Sequence, residues 1–179
     1  MTIRIANKKD IKNLTEIYNK CKVDLCKQEI FQWTNNYPNS EIITSDINKS
    51  HLYLIENESE IIGAINISEE QENEYKKIEW KFNDNKILVI HRLAIDPKHQ
   101  GNGFARKLMD FAESYAEKND YSSIRLDAYS QNKRVIRFYE KRSYFLRGEV
   151  NFSERNYSFY CMEKEIKIVP NNKYNAFSK

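Results

Sequence analysis

Ile87-Leu88-Val89-Ile90-His91-Arg92-Leu93-Ala94-Ile95-Asp96-Pro97-Lys98-His99-Gln100-Gly101-Asn102-Gly103-Phe104-Ala105 is the stretch from which the fold can be read. Its first nine residues form a nearly continuous, β-branched apolar run, interrupted only by His91 and Arg92. Such a run describes a central strand buried on both faces. Asp96-Pro97 stops it. Gly101 and Gly103 follow, and from Phe104 the apolar positions Phe104, Leu108, Phe111, Ala112 and Tyr115 recur at helical spacing. Beyond that helix Ile124, Leu126 and Ala128 alternate with Arg125 and Asp127, the pattern of a short strand. Strand, glycine turn, helix and strand together predict a parallel βαβ unit over Ile87–Ala128.

The flanks supply the rest of a mixed α/β domain. Met1–Ile5 reads as a first strand, and Asp10–Lys20 carries a helical stripe of Ile11, Leu14, Ile17, Tyr18 and Cys21. Gln28–Tyr37 has no clean period and reads as a loop or short helix ending near Pro38. Leu52–Ile55 and Ile61–Ile67 are two strands joined by a polar turn, and Glu69–Lys77 is a charged connection. Asn132–Arg142 is again helical. Tyr144–Asn151 and Tyr157–Ile166 close the domain as strands, with a hairpin as one arrangement. A single domain over residues 1–166 is predicted, with the polar tail of residues 167–179 frayed.

Composition narrows the function classes. The 29 basic side chains are interleaved with 26 acidic ones for a net charge of +3, which gives little support to nucleic-acid or membrane-surface binding. No apolar run approaches the roughly 20 residues that span a bilayer, and the N-terminus lacks a signal-peptide pattern. Cys21, Cys26 and Cys161 show neither metal-ligand spacing nor a disulfide framework. They read as free thiols of a cytoplasmic protein that needs no metal.

Two of the four glycines stand one residue apart between the buried strand and the amphipathic helix. Glycine there permits φ > 0 and close approach of a ligand to the backbone. The N–H groups opening the Phe104 helix have no intrahelical partners, and the helix dipole adds positive potential, so the turn can cradle a pyrophosphate. By itself a Gly-x-Gly is equally a plain connecting turn. A P-loop is excluded because no Gly-Lys-Ser/Thr follows. A Rossmann fingerprint is excluded because Arg106 stands where the third glycine belongs.

Leu93–Ala105, with its Gln100-Gly101-Asn102-Gly103-Phe104-Ala105 turn, closely resembles the core signature of the GNAT N-acetyltransferase superfamily: a hydrophobic strand followed by Gln/Arg-x-x-Gly-x-Gly/Ala. Asn132–Tyr144 (NKRVIRFYEKRSY) resembles that family's second signature, an Asn leading a helix that ends in Phe-Tyr. The resemblance spans most of Met1–Ile166. It implies a central mixed sheet of about six to seven strands flanked by about four helices. One departure stands out: Ser143 sits where the family usually has the glycine that ends this helix, at a cost on the order of 1 kcal/mol.

The resemblance also implies roles. Acetyl-CoA would be the cosubstrate and a primary amine the acceptor, joined by direct attack in a ternary complex, in a monomer or homodimer. The backbone of Leu93, Ala94 and Ile95 would bond the pantetheine amides, and the amides of Gln100, Gly101, Asn102, Gly103, Phe104, Ala105 and Arg106 would take the pyrophosphate. Lys98, His99, Arg106, Lys107, Lys133, Arg134, Arg137 and Lys141 are the nearby basic side chains. Asn132, Ile136 and Tyr139, at i, i+4 and i+7, share a helical face. Asn132 would meet the pantetheine, and Tyr139 would protonate the leaving thiolate or else serve as a core aromatic. His91, with an ordinary pKa near 6.5, is the candidate base, a packed core histidine being the other reading; Glu79 is a weaker candidate. Trp33, Tyr37, Tyr75 and Trp80 stand as pocket, core or rim residues within Gln28–Tyr37 and Tyr75–Asn85. A protein amino group as target and a catalytically silent acyl-CoA-binding module are the alternative functions.

Overall fold

Among the described residues seven strands and four α-helices follow one another: β1 (Thr2–Ile5), α1 (Ile11–Lys27), α2 (Ser40–Asn48), β2 (Leu52–Asn57), β3 (Glu60–Ser68), β4 (Ile87–Ile95), α3 (Phe104–Lys118), β5 (Ser123–Tyr129), α4 (Lys133–Glu140), β6 (Phe145–Val150) and β7 (Phe159–Glu165). This computed structural model describes residues 1–83 and 86–167. The expected frayed tail after Lys167, and Asn85 at the end of one expected acceptor segment, lie outside the described residues.

All seven strands join one sheet in the order β1-β2-β3-β4-β5-β7-β6. β4 and β5 run parallel with α3 crossing between them, the predicted βαβ unit, and the other neighbours pair antiparallel. β6 and β7 do form a hairpin, with β7 inserted beside β5.

Strand alternation sends alternate side chains to opposite layers. Leu88 and Ile90 of β4 and Leu126 and Ala128 of β5 pack with Leu108, Met109, Ala112 and Ala116 of α3 and with Ile136 and Tyr139 of α4. On the other face Leu52, Leu54, Ala64 and Ala94 meet Leu14, Ile17, Tyr18 and Cys21 of α1 and Ile43 and Ile47 of α2. A third cluster, Tyr75, Trp80, Val89, Tyr129, Phe159 and Cys161, fills the same side of the sheet near β5 and β7.

The break at His91-Arg92 has a structural meaning. His91 pairs with Asn66 and Ala94 with Ala64, so Arg92 and Leu93 together face Ile65 alone: a β-bulge. Arg92 takes a left-handed φ of +48°, which costs a non-glycine residue about 1–2 kcal/mol. The parallel ladder to β5 ends just before the bulge, at Ile90↔Leu126. Beyond that point β4 and β5 part.

Several boundaries differ from the sequence reading. α1 runs on to Lys27 because the apolar stripe continues at Leu25. α2 was not foreseen: it is nine residues long and rich in β-branched Ile and Thr, weak helix formers. Asn39 starts it by accepting from the Ile42 N–H at 3.0 Å, and burial of Ile43, Asp46 and Ile47 holds it. Gln28–Tyr37 is a loop, with one bridge between Thr34 and Tyr37. The charged connection contains a 3-10 turn at Asn73–Lys77 that seats Tyr75 in the core. Ser143 has the left-handed φ, +64°, that its place after α4 requires.

Candidate active site

The turn after β4 is built around two left-handed glycines, Gly101 at φ +82° and Gly103 at φ +81°. A Cβ on either would meet nothing within 4 Å, so it is the backbone conformation that calls for glycine, not crowding within the protein. Asp96 fixes the start of the turn, accepting from the Lys98 N–H at 3.1 Å and pairing with Lys20 at 3.2 Å. Gln100 donates to the Ile95 carbonyl at 3.2 Å and accepts from Arg134 of α4 at 3.2 Å. Gly103 caps α3 without a side-chain bond. The exposed first turn of α3 therefore offers N–H donors and the positive end of the helix dipole.

The predicted basic side chains divide by what they touch. Lys98 and His99 both pair with Glu60. Lys133 donates to the Ser130 carbonyl at 2.6 Å, and Lys107 lies against the Met1 sulfur at 3.2 Å. Arg106, Arg134, Arg137 and Lys141 are exposed.

Where β4 and β5 separate, a cavity of about 320 Å³ opens, at the lower end of the usual range for small-molecule sites. Ile90, His91, Arg92 and Leu93 line it from β4, Asp127, Ala128 and Tyr129 from β5, and Val135 and Tyr139 from α4. The loop after α1 adds Gln32, Trp33, Thr34 and Tyr37. Past the bulge, the edge of Leu93, Ala94 and Ile95 turned toward β5 carries no strand partner among the described residues.

Tyr139 is buried beside Phe138 and Tyr144, with ring centroids at 5.4 and 5.8 Å. Burial, and after it the Asp127 charge, push its phenol above the ordinary value, so it stays protonated at neutral pH. Ile136, on the same face, is buried in the core. Asn132 is buried with both ends of its amide engaged. Its oxygen accepts from the Val135 N–H at 3.2 Å, capping α4, and its nitrogen donates to Gln32 at 2.8 Å.

His91 is buried, its Nε2 2.9 Å from the Glu70 carbonyl. That contact fixes the tautomer with the proton on Nε2, leaving Nδ1 facing Glu72 at 3.9 Å. Burial, then the Arg92 charge, lower its pKa to about 4. It is neutral at pH 7 and a weaker base than a free histidine. Glu79 is exposed and not among the cavity residues.

The four aromatic candidates split. Trp33 and Tyr37 line the cavity, Trp33 edge-on to Tyr18 at 5.6 Å. Tyr75 and Trp80 are core residues; the Trp80 indole donates to the Tyr75 carbonyl at 3.0 Å and Arg125 stacks on its ring.

Asp127 is the site residue that the sequence reading passed over. It is half-buried on β5, one residue past the last β4 partner, and its Oδ2 accepts from the Tyr75 hydroxyl at 2.7 Å. Burial raises its pKa to about 6, and the Tyr75 hydrogen bond holds it from rising further. Its only mark in the sequence was a carboxylate opposite apolar residues in a short strand next to the central one.

A family model described as Acetyltransferase (GNAT) family matches residues 11–144. An uncharacterised N-acetyltransferase of Bacillus subtilis (strain 168), YesJ, is 22% identical over 139 residues, which cover 75% of this chain and 73% of that protein. Among solved structures, a GNAT-family acetyltransferase from Streptococcus agalactiae superposes with a TM-score of 0.79 at 20% identity, covering 93% of this chain and 95% of its own. The protein yncA from Salmonella typhimurium, solved with its cofactor acetyl-CoA, gives 0.68 at 19% identity, covering 93% and 94%.

Proposed function

The chain belongs to the acetyltransferase (GNAT) family, and from that premise we propose that it moves an acetyl group from acetyl-CoA to a primary amine, by direct attack in a ternary complex. The observation that carries this reading is the continuity of β4. One strand runs from the cavity at Ile90–Leu93, along an unpartnered edge, to a glycine turn at the open end of α3. The acetyl-CoA held by a protein of the same fold supports the choice of donor.

The residues present fit that donor. Gly101 to Arg106 offer main-chain N–H groups to a pyrophosphate at a turn where no Cβ intrudes, whereas the Gln100 N–H is already given to the Pro97 carbonyl at 3.3 Å. The open edge at Leu93, Ala94 and Ile95 suits the amides of a pantetheine arm, as an added strand would, although the Ile95 carbonyl already accepts from Gln100 and Cys21. Asn132 secures the start of α4, and Val135 and Tyr139 close the wall on that side, with Ile136 behind them in the core. Acetyl-CoA supplies a thioester whose carbonyl carbon is open to attack by a neutral amine. The bulge leaves one β4 residue outside the ladder, and its N–H is suited to meet charge growing on the thioester oxygen. Tyr139, protonated and facing the cavity, gives its proton to the departing sulfur. His91 stays neutral and forms part of the acceptor wall.

A screen of primary amines with acetyl-CoA, reading thiol release, tests the reaction, and thermal melts with acetyl-CoA test the donor. At a hundred times its Kd the donor should add about 2.7 kcal/mol of stability. A melt unmoved at millimolar acetyl-CoA would sink the reading.

A further inference from the structure

We propose that Asp127 is the proton acceptor of this reaction, taking the proton from the ammonium group of an acceptor bound between β4 and β5. The assignment rests on the acetyl transfer proposed above and supplies the base that transfer needs.

An aspartate in mid-strand ordinarily points to solvent or to a fixed cationic partner. Asp127 does neither. It stands one residue beyond Leu126, where the β4–β5 ladder ends, and it lines the cavity that opens there. No cation bonds it among the described residues; the Tyr75 hydroxyl at 2.7 Å holds Oδ2. Tyr75 is itself locked in the core at 2% exposure, so Asp127 is oriented by a rigid donor and keeps Oδ1 for a ligand. The charged and titratable groups around it are Tyr75 and Glu72 from the connection after β3, Arg92 from β4, Tyr37 from the loop after α1, Tyr139 from α4 and Cys161 from β7. The Arg92 guanidinium is already bound by both Asp46 oxygens at 2.9 Å, so it does not close on Asp127 as a salt bridge.

The protons balance. The ammonium gives one proton to Asp127, and the freed lone pair forms the C–N bond. The C–S bond breaks, its electron pair stays on sulfur, and Tyr139 protonates that sulfur. The excess proton on the new amide nitrogen returns to the tyrosinate oxygen, and Asp127 releases its proton to water. The base must be ionised before the cycle begins. Asp127, with a pKa of about 6, is ionised at pH 7 and is a stronger base there than His91 at about 4.

The experiment compares wild type, Asp127→Asn, Tyr75→Phe and His91→Gln with one accepted amine. The kcat/KM of the wild type should fall as pH drops through about 6, the value that burial and the Tyr75 bond together set. Asp127→Asn should lose at least about a hundredfold and lose that limb, while acetyl-CoA raises its melting temperature as it does for wild type. Tyr75→Phe removes a bond that lowers the Asp127 pKa, so the limb should move to higher pH. Carbon-13 NMR of the Asp127 carboxyl without ligands should show the same upward move, a readout independent of turnover. An Asp127→Asn enzyme that keeps the limb and turns over within threefold of wild type overturns the assignment. So does a limb near pH 4 that disappears in His91→Gln. If acetyl-CoA stabilises none of the four proteins, the transfer reading fails and this assignment falls with it.

Discussion

Tyr139 and Asp127 sit on different elements yet share the Ile90–Tyr139 cavity, and burial moves both pKa values upward. The consequences are opposite. A raised phenol is a reliable store of a proton, whereas a raised carboxyl becomes a base near neutrality. Tyr139→Phe isolates the first function, because it removes one oxygen and keeps a ring that packs against Phe138 and Tyr144. A thiolate with an ordinary pKa near 8.5 can leave unprotonated at some cost, so the loss should be partial. A 10²–10⁴-fold drop is expected, about 3–5 kcal/mol of barrier, seen in kcat more than in the acetyl-CoA KM. Near-normal turnover with chemistry rate-limiting would leave Tyr139 as core packing. Tyr139 was legible in the sequence because an Asn-led helix ending in Phe-Tyr is a local pattern. Asp127 was not, since its meaning depends on Tyr75, 52 residues away, and on strands that separate beside it.

At the scale of elements, the βαβ unit was legible from one apolar run, one glycine turn and one helical stripe. Each of these is a short-range signal, carried by residues close together in the chain. α2 escaped because nine residues with weak intrinsic helicity form only when Ile43 and Ile47 find the sheet. The bulge was written into the sequence as the polar pair His91-Arg92, but register is a property of two strands and cannot be read from one. The glycine turn permits a clean test at this scale. Gly103→Val places a β-branched residue at φ +81°, with no contact within 4 Å to oppose its Cβ. The fold should therefore survive with a loss of about 1–2 kcal/mol from the left-handed backbone alone. The cradle should not survive: isothermal calorimetry should show acetyl-CoA affinity lower by at least about tenfold. Unchanged affinity in a folded Gly103→Val protein would mean that the phosphates bind elsewhere.

Across the whole molecule, one side chain joins the helical layer to the strand that shapes the site. Arg92, at the bulge, is bound by both oxygens of Asp46 in α2 at 2.9 Å and by the Tyr37 hydroxyl at 2.8 Å. Its own carbonyl accepts from Tyr18 of α1 at 2.8 Å, and Cys21 of α1 reaches the Ile95 carbonyl at 3.2 Å. These bonds oppose the strain of a left-handed arginine and tie the bulge to α1 and α2, so the cavity is expected to depend on how those helices are seated. Only 11% and 8% of the Arg92 and Asp46 side chains are exposed, which makes the pair costly to break singly. Asp46→Ala should leave a buried guanidinium without its counter-charge and cost about 3–5 kcal/mol. In a chain of 179 residues that is a drop of roughly 10 °C in Tm. Replacing both partners with apolar residues, Arg92→Met with Asp46→Leu, removes the uncompensated charge and should recover most of that stability. It should not recover the site, because the Tyr37 hydroxyl loses its donor and the bulge loses its anchor. The double variant is therefore expected to melt near wild type while the KM for the amine stays raised. If the double variant recovers both quantities, the ion pair serves only to stabilise the fold, and the opening between β4 and β5 is set by the backbone without it.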